Sequence, residues 1–571
     1  MQPIVPLLVA FFLFSSLGIP RIMASGAGST TTRTPENHVY QFMTVQTNVV
    51  APFKAPTNVP VGFLFSPHAA TAYLWVPPTC TKLRGVVILG SNVPEQWFGG
   101  HPGLRNVCAE EGLAILYSCP SARLSAVDHA DSRILNNEEK CRLNVAFHQR
   151  ILDALAKESG FPELSTVPWL PIGESMSLFL VSHLTHGAPE RCIAGIWVKD
   201  SPWRDGTESV PMLAACGTGA EWDFPKMDAT ERWREMASTD WKECLARRKE
   251  LPDWPASLLI EAGSAHFSVT DQMERLIEQY ISAACKARLP NDGGSMLRPV
   301  DLKSGYVAGL PVPGGIALKP KPYSDCTPEE KNFPWYFDKD CAQAAYDMAD
   351  VNWNAKTQIA AFVDPEGKPI PYSKSGIVEI KPVLEADGLS FTVKSTFLDK
   401  IPEGCVKAGA PLTHSTVIPS VEWLRGPVIP LGDNRFRLSI DRSSNLMMGE
   451  QNPLLRTIAL GNEDHRLFVC PAQIHIASNK AGKPQKISFD PIADQPCGTK
   501  EVALHAVSDS GLPVQFFVQA GPAVVVGNKL IFKDVPQGGV PKIPVTVVAW
   551  QWGNDQFQTA QLVTRDFQLS R

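Results

Sequence analysis

The sequence predicts an α/β fold over residues 25–290, a mostly parallel sheet with helices on both faces, followed by β-rich domains. Three observations carry this expectation. From about residue 70 to 290, short apolar runs alternate with amphipathic helical patterns, as buried parallel strands joined by crossover helices require. Beyond 290 the period changes, and residues 388–397 alternate apolar and polar side chains like a half-buried strand. The 49 prolines and 41 glycines supply turns throughout.

The elements follow in order. Residues 1–24 hold an apolar stretch over 4–17, with small residues at 24–27, and read as a secretory signal peptide. The expected location is therefore secreted, periplasmic or cell-surface, and no later segment is apolar enough to span a bilayer. Residues 72–76 form a strand and 85–90 a buried strand, followed by a loop over 91–100. A helix over 101–111 has Pro102 in its first turn, and another strand occupies 114–118. Val145, Ile151, Leu152 and Leu155 mark a helix over 142–159, and the apolar run from Val167 is the strand that leads to Ser175. Helix 176–185, strand 193–198, strand 211–216, helix 230–250, strand 257–261 and helix 269–287 complete the unit. Residues 291–335, rich in Gly and Pro, read as a linker, and 336–485 as a β-rich mixed domain with one helix near 336–349. Short, evenly spaced strands over 486–571 suggest an immunoglobulin-like β-sandwich.

Length and composition exclude several classes. At 571 residues the chain is multidomain, and 44% hydrophobic with 19% charged residues is globular. A net charge of -5 without a basic block argues against nucleic acid as a partner. Thirteen cysteines contain no Cys-x-x-Cys pair, which argues against a zinc ribbon. Some disulfides are expected in an exported chain, and Cys326 and Cys341 are near enough in sequence to close a small loop. No His, Asp and Glu cluster at ligand spacing and no nucleotide-type Gly-rich loop stands out, so neither metal nor cofactor is expected. The sequence does not set an oligomeric state.

The chemistry centres on Gly-Glu-Ser-Met-Ser at 173–177, where an apolar strand breaks into a helix. Such a turn pushes Ser175 out of the backbone, and the small Gly173 and Ser177 permit it. A serine hydroxyl needs a base and an acid that orients the base. His183 and His186 lie on the helix leading away from Ser175, whereas His266 follows the last strand and faces the turn. Glu221 and Asp223 follow the strand between Ser175 and His266, and Asp200 follows the strand before that. All three qualify as the acid. The order Ser, acid, His is that of the α/β-hydrolase topology. The oxyanion donors expected are the N–H groups of Met176 and of Asn92 or a neighbour.

With Gly-Thr-Gly-Ala-Glu-Trp at 217–222 and Ala-Gly-Ser-Ala-His-Phe at 262–267, the chain resembles secreted α/β-hydrolases of the serine esterase type over about 70–290. It also resembles a bacterial group with a β-rich C-terminal half, through Trp-Tyr-Phe-Asp at 335–338 and Ser-Asp-Ser-Gly-Leu-Pro-Val at 508–514. The resemblance implies an α/β-hydrolase fold, carboxylic-ester hydrolysis and Glu221 as the acid, ahead of Asp223 and Asp200. The elbow departs from the family in Ser177, where Gly is usual, and in Glu174, where His is frequent. A small-molecule or polysaccharide ester is the expected substrate. Trp97, Trp203 and Trp222 lie in site-edge loops where indoles could stack on sugars, or else belong to the core. A binding or adhesion protein on a hydrolase scaffold and a serine peptidase are the alternatives.

Overall fold

The computed structural model describes residues 46–49, 70–90, 93–119, 137–199, 209–219, 228, 231–267, 269–291, 294, 296–372, 377–441 and 450–571. Its first sheet contains β1 (Gln46–Val49), β2 (Ala70–Trp75), β3 (Gly85–Leu89), β4 (Leu113–Cys119), β5 (Trp169–Glu174), β6 (Gly195–Val198), β7 (Met212–Gly217) and β8 (Ala256–Glu261). Their order is 1-2-4-3-5-6-7-8. β3 to β8 run parallel, and β2 is antiparallel to both β1 and β4. The expected mostly parallel sheet is present. β3, β5, β6 and β8 are buried along their whole length, which is why they read as unbroken apolar runs.

Helices cover both faces. They are α1 (Val93–Gly100), α2 (Pro102–Glu111), α3 (Asn137–Ser159), α4 (Leu178–Gly187), α5 (Arg232–Glu250), α6 (Asp271–Arg288) and α7 (Lys339–Ala349). Because strand side chains alternate, Val86 and Ile88 of β3 pack with Phe147, Ile151 and Leu155 of α3. Val87 and Leu89 join the opposite core with Leu104 of α2, Trp241 of α5 and Ile277 of α6.

Three expectations need correction. Residues 93–100, read as loop, form α1: Pro94 lies in the first turn, where its missing N–H costs nothing, and Phe98 is buried. Pro94 and Gly99-Gly100 gave the loop signal. Residues 291–335, read as a linker, are built into the first unit through β9 (Tyr306–Gly309), β10 (Leu318–Pro322) and β11 (Trp335–Tyr336). Trp335 and Tyr336 join its core, Tyr336 donates to the Leu258 carbonyl at 2.6 Å, and buried Arg248 donates to the Lys331 and Phe333 carbonyls at 2.7 and 3.3 Å. The Gly and Pro residues lie between these short strands. Finally, Cys326 and Cys341 are free thiols, and Cys326 donates to the Pro322 carbonyl at 3.2 Å. Eleven of the described cysteines are buried, as small apolar side chains are.

The C-terminal half is β-rich, as expected. A four-stranded sheet (Val378–Ile380, Phe468–Ile474, Leu454–Ala459, Ser420–Arg425) and a three-stranded one (Ser390–Thr392, Arg435–Leu438, Val428–Gly432) share one core. Further on, Gln515–Ala520, Lys542–Trp550 and Val563–Ser570 form a second four-stranded sheet with Gln495–Pro496, opposite Glu501–Ala503, Lys529–Phe532 and Ala523–Val526. Val518, Leu530, Val547 and Phe567 fill the space between them. The middle module reaches the end of β8: Leu424 and Leu454 pack on Phe267, and Ile458 and Val469 on Ala265.

Candidate active site

β5 ends at Glu174, a 3-10 turn runs from Ser175 to Ser177, and α4 follows. Ser175 has φ +50°, left-handed backbone that costs a non-glycine residue about 1–3 kcal/mol and that clusters at functional sites. The turn is tight. A Cβ on Gly173 would collide with the Ser177 carbonyl group, and one on Gly90 would lie 2.5 Å from Ser177 Cβ and 2.6 Å from Glu95 Oε1. Glycine at 173 and 90 and a small residue at 177 are therefore what let strand, turn and helix close together. Ser175 is partly exposed while Glu174 before it is fully buried.

His266 lies in the loop after β8 and presents Nε2 to this turn, 3.3 Å from Glu174 Oε1. The structure thus brings the expected base to the residue preceding the expected nucleophile. Burial, and after it the Lys199 ammonium, push the imidazole down to about 3, while the adjacent Glu174 carboxylate works in the other direction. The ring is neutral at pH 7 and able to accept a proton. Its edge meets Phe267, with centroids 4.9 Å apart, so the packing of Leu424 and Leu454 on Phe267 holds the loop from the middle module.

The charged groups around this turn escaped the sequence reading. Glu95 of α1 is fully buried, and its Oε1 accepts from the Glu174 N–H at 2.6 Å. Lys199, just past β6 and also left-handed at φ +63°, places its ammonium 3.5 Å from Glu261 Oε2 and against Ser264 Oγ. Glu261 in turn accepts from Thr270 Oγ1. Arg425, from the middle module, has its guanidinium pushed down to about 10 by burial, with the Glu174 charge acting against that shift. A buried charge at a strand end is the signal that marks Lys199 and Glu261 in retrospect; no local pattern marks Arg425.

His183 and His186 point elsewhere, to Asn144 Nδ2 at 3.0 Å and the Ser182 carbonyl at 2.9 Å. Met176 contributes its backbone to the 3-10 turn. Asn92, Asp200, Glu221 and Asp223, like the side chains of Met176, Trp97, Trp203 and Trp222, lie outside the described residues. Gly219, two residues before Glu221 in sequence, lies beside the base: its N–H donates to the Ser264 carbonyl at 2.7 Å, and a Cβ on it would lie 2.5 Å from Ala265 Cα.

No protein-family model and no curated protein matches the chain. Among solved structures it is similar to a poly(3-hydroxybutyrate) depolymerase from Bordetella parapertussis, at 14% identity and TM-score 0.25 over 39% of this chain and 88% of that one. It is similar to an S-formylglutathione hydrolase from Staphylococcus aureus, at 11% identity and TM-score 0.25 over 43% and 99%. A dienelactone hydrolase from Anabaena variabilis gives 15% identity and TM-score 0.24 over 43% and 100%.

Proposed function

We propose that the protein is a serine hydrolase of α/β-hydrolase fold that cleaves carboxylic esters, with Ser175 as nucleophile and His266 as base. The observation that carries this is the left-handed Ser175 at the tip of a fully buried strand, with the imidazole of His266 facing the same turn. Ser175 Oγ attacks the ester carbonyl as His266 takes its proton. The C–O bond then breaks, and the imidazolium returns the proton to the departing alkoxide. Water repeats the sequence on the acyl-enzyme and frees Ser175. Met176 N–H and a donor at Asn92 or beside it hold the oxyanion. Glu221 orients His266, with Asp223 and then Asp200 as the other acids; the contact of Gly219, two residues before Glu221, with Ala265 supports the first two.

The proposed substrate is a small or polysaccharide-borne ester, met outside the cytoplasm by a chain whose last module is an immunoglobulin-like sandwich. The test is kcat/KM on p-nitrophenyl acyl esters and on acetylated, feruloylated and methyl-esterified glycans, with Ser175→Ala and His266→Ala beside the wild type. Ester turnover that falls at least ~10³-fold in both variants is expected. Cleavage of peptide bonds alone, or saturable glycan binding without turnover, would replace this reading with a peptidase or an adhesion protein.

A further inference from the structure

Away from the turn at Ser175, α2 and α6 meet at a cluster that the proposed hydrolase does not use. His101 caps α2, and its Nδ1 accepts from the Gly103 N–H at 3.1 Å, through the lone pair that a bound ion would take over. The same nitrogen faces Glu278 Oε1 at 3.2 Å and is in close contact with Glu274 Oε1. One ligand atom from each of the three residues lies within 4.8 Å of the others. Glu274 and Glu278 stand one helical turn apart on α6, where like charges repel. Glu274 is 2% exposed, and its Oε1 lies against His101 Nδ1. Gly103 shapes the cluster, since a Cβ there would fall on the Glu278 carboxylate.

We propose that His101, Glu274 and Glu278 bind one divalent transition-metal ion of the zinc class. Two carboxylates one turn apart on α6 repel each other in a mostly buried place, and a divalent cation held between them and the imidazole would relieve that repulsion. One imidazole nitrogen with carboxylate oxygens suits zinc, whereas calcium and magnesium favour all-oxygen sets. His101 and Glu278 side chains are 18% and 14% exposed, giving the ion a way in and room for water as a further ligand. The ion would tie α2, which directly follows the helix of Glu95, to α6, which begins five residues after His266. The inference stands independently of the hydrolase reading.

The test is calorimetric titration of the chelator-treated full-length protein with ZnCl2, beside CaCl2 and MgCl2. Thermal unfolding is followed with and without zinc. One zinc per chain, a higher Tm with zinc and weak or absent calcium and magnesium binding are expected. Glu278→Gln, and His101→Asn, which keeps a capping side chain, should each lower zinc affinity at least ~10-fold. Failure of the wild type to bind zinc, or zinc affinity in either folded variant equal to the wild type, overturns the proposal. In those cases protons, not a metal, close the cluster.

Discussion

A Cβ at position 173 would meet the Ser177 carbonyl carbon at 2.6 Å and Val181 Cγ2 at 2.9 Å, with the Ser177 oxygen closer still. Ordinary contact begins at 3.4 Å, so Gly173→Ala forces the backbone of the turn to retreat by roughly 1 Å in an interior that has no slack. Overpacking of this kind costs about 1–3 kcal/mol. Displacing a nucleophile by about 1 Å lowers rate by ~10²-fold. The expected Gly173→Ala protein is therefore folded, less stable by about 1–3 kcal/mol in urea, and slowed in kcat with p-nitrophenyl acetate. Stability and kcat both within twofold of the wild type would refute the reasoning, because the turn would then have room that the structure denies.

Ser175 in left-handed backbone is strained by about 1–2 kcal/mol, so Ser175→Gly should exceed Ser175→Ala in stability by about 0.5–1 kcal/mol once glycine's extra unfolded freedom is set against it. Urea denaturation of the two inactive variants measures this. The imidazole of His266 is held down at about 3 by burial and by Lys199, whereas in the unfolded chain it titrates near 6.5. The unfolded state therefore gains the proton first. This group's stabilisation is complete above about pH 6.5 and is lost as pH falls toward 3, by up to about 1.4 kcal/mol per unit. His266→Asn should flatten the stability profile between those limits in denaturation at several pH values. Lys199→Met strands the buried Glu261 carboxylate and should cost about 3–5 kcal/mol in urea; adding Glu261→Gln should recover much of it. A chain ended at residue 290 loses Trp335, Tyr336, Ala345 and Met348 from the first core and should aggregate, which size-exclusion chromatography reads directly.

Much of the first unit was legible because its strands are buried on both faces. Gly85–Leu89 and Ala256–Glu261 carry uninterrupted apolar runs, and a parallel sheet is the ordinary reason for such runs. Ser175 was legible as a motif and His266 as its chain-order partner. What the sequence hides is whatever depends on the assembled fold. Pro94 looks like a helix breaker until its place in the first turn of α1 is seen. The Gly and Pro residues over 305–322 look like a linker until Trp335 and Tyr336 anchor the strands around them. Glu95 and Glu174 are 79 positions apart, and Lys199 and Glu261 are 62 apart, so no local pattern joins them. The cluster of His101 with Glu274 and Glu278 is invisible for the same reason.

The most direct test of Ser175 as a nucleophile is covalent labelling of the folded full-length protein with a fluorophosphonate, followed by peptide mass spectrometry. The account predicts one adduct, on Ser175, lost in Ser175→Ala and slowed in His266→Ala. Absence of labelling in folded protein that the reagent can reach, or an adduct on another residue that persists in Ser175→Ala, would contradict it.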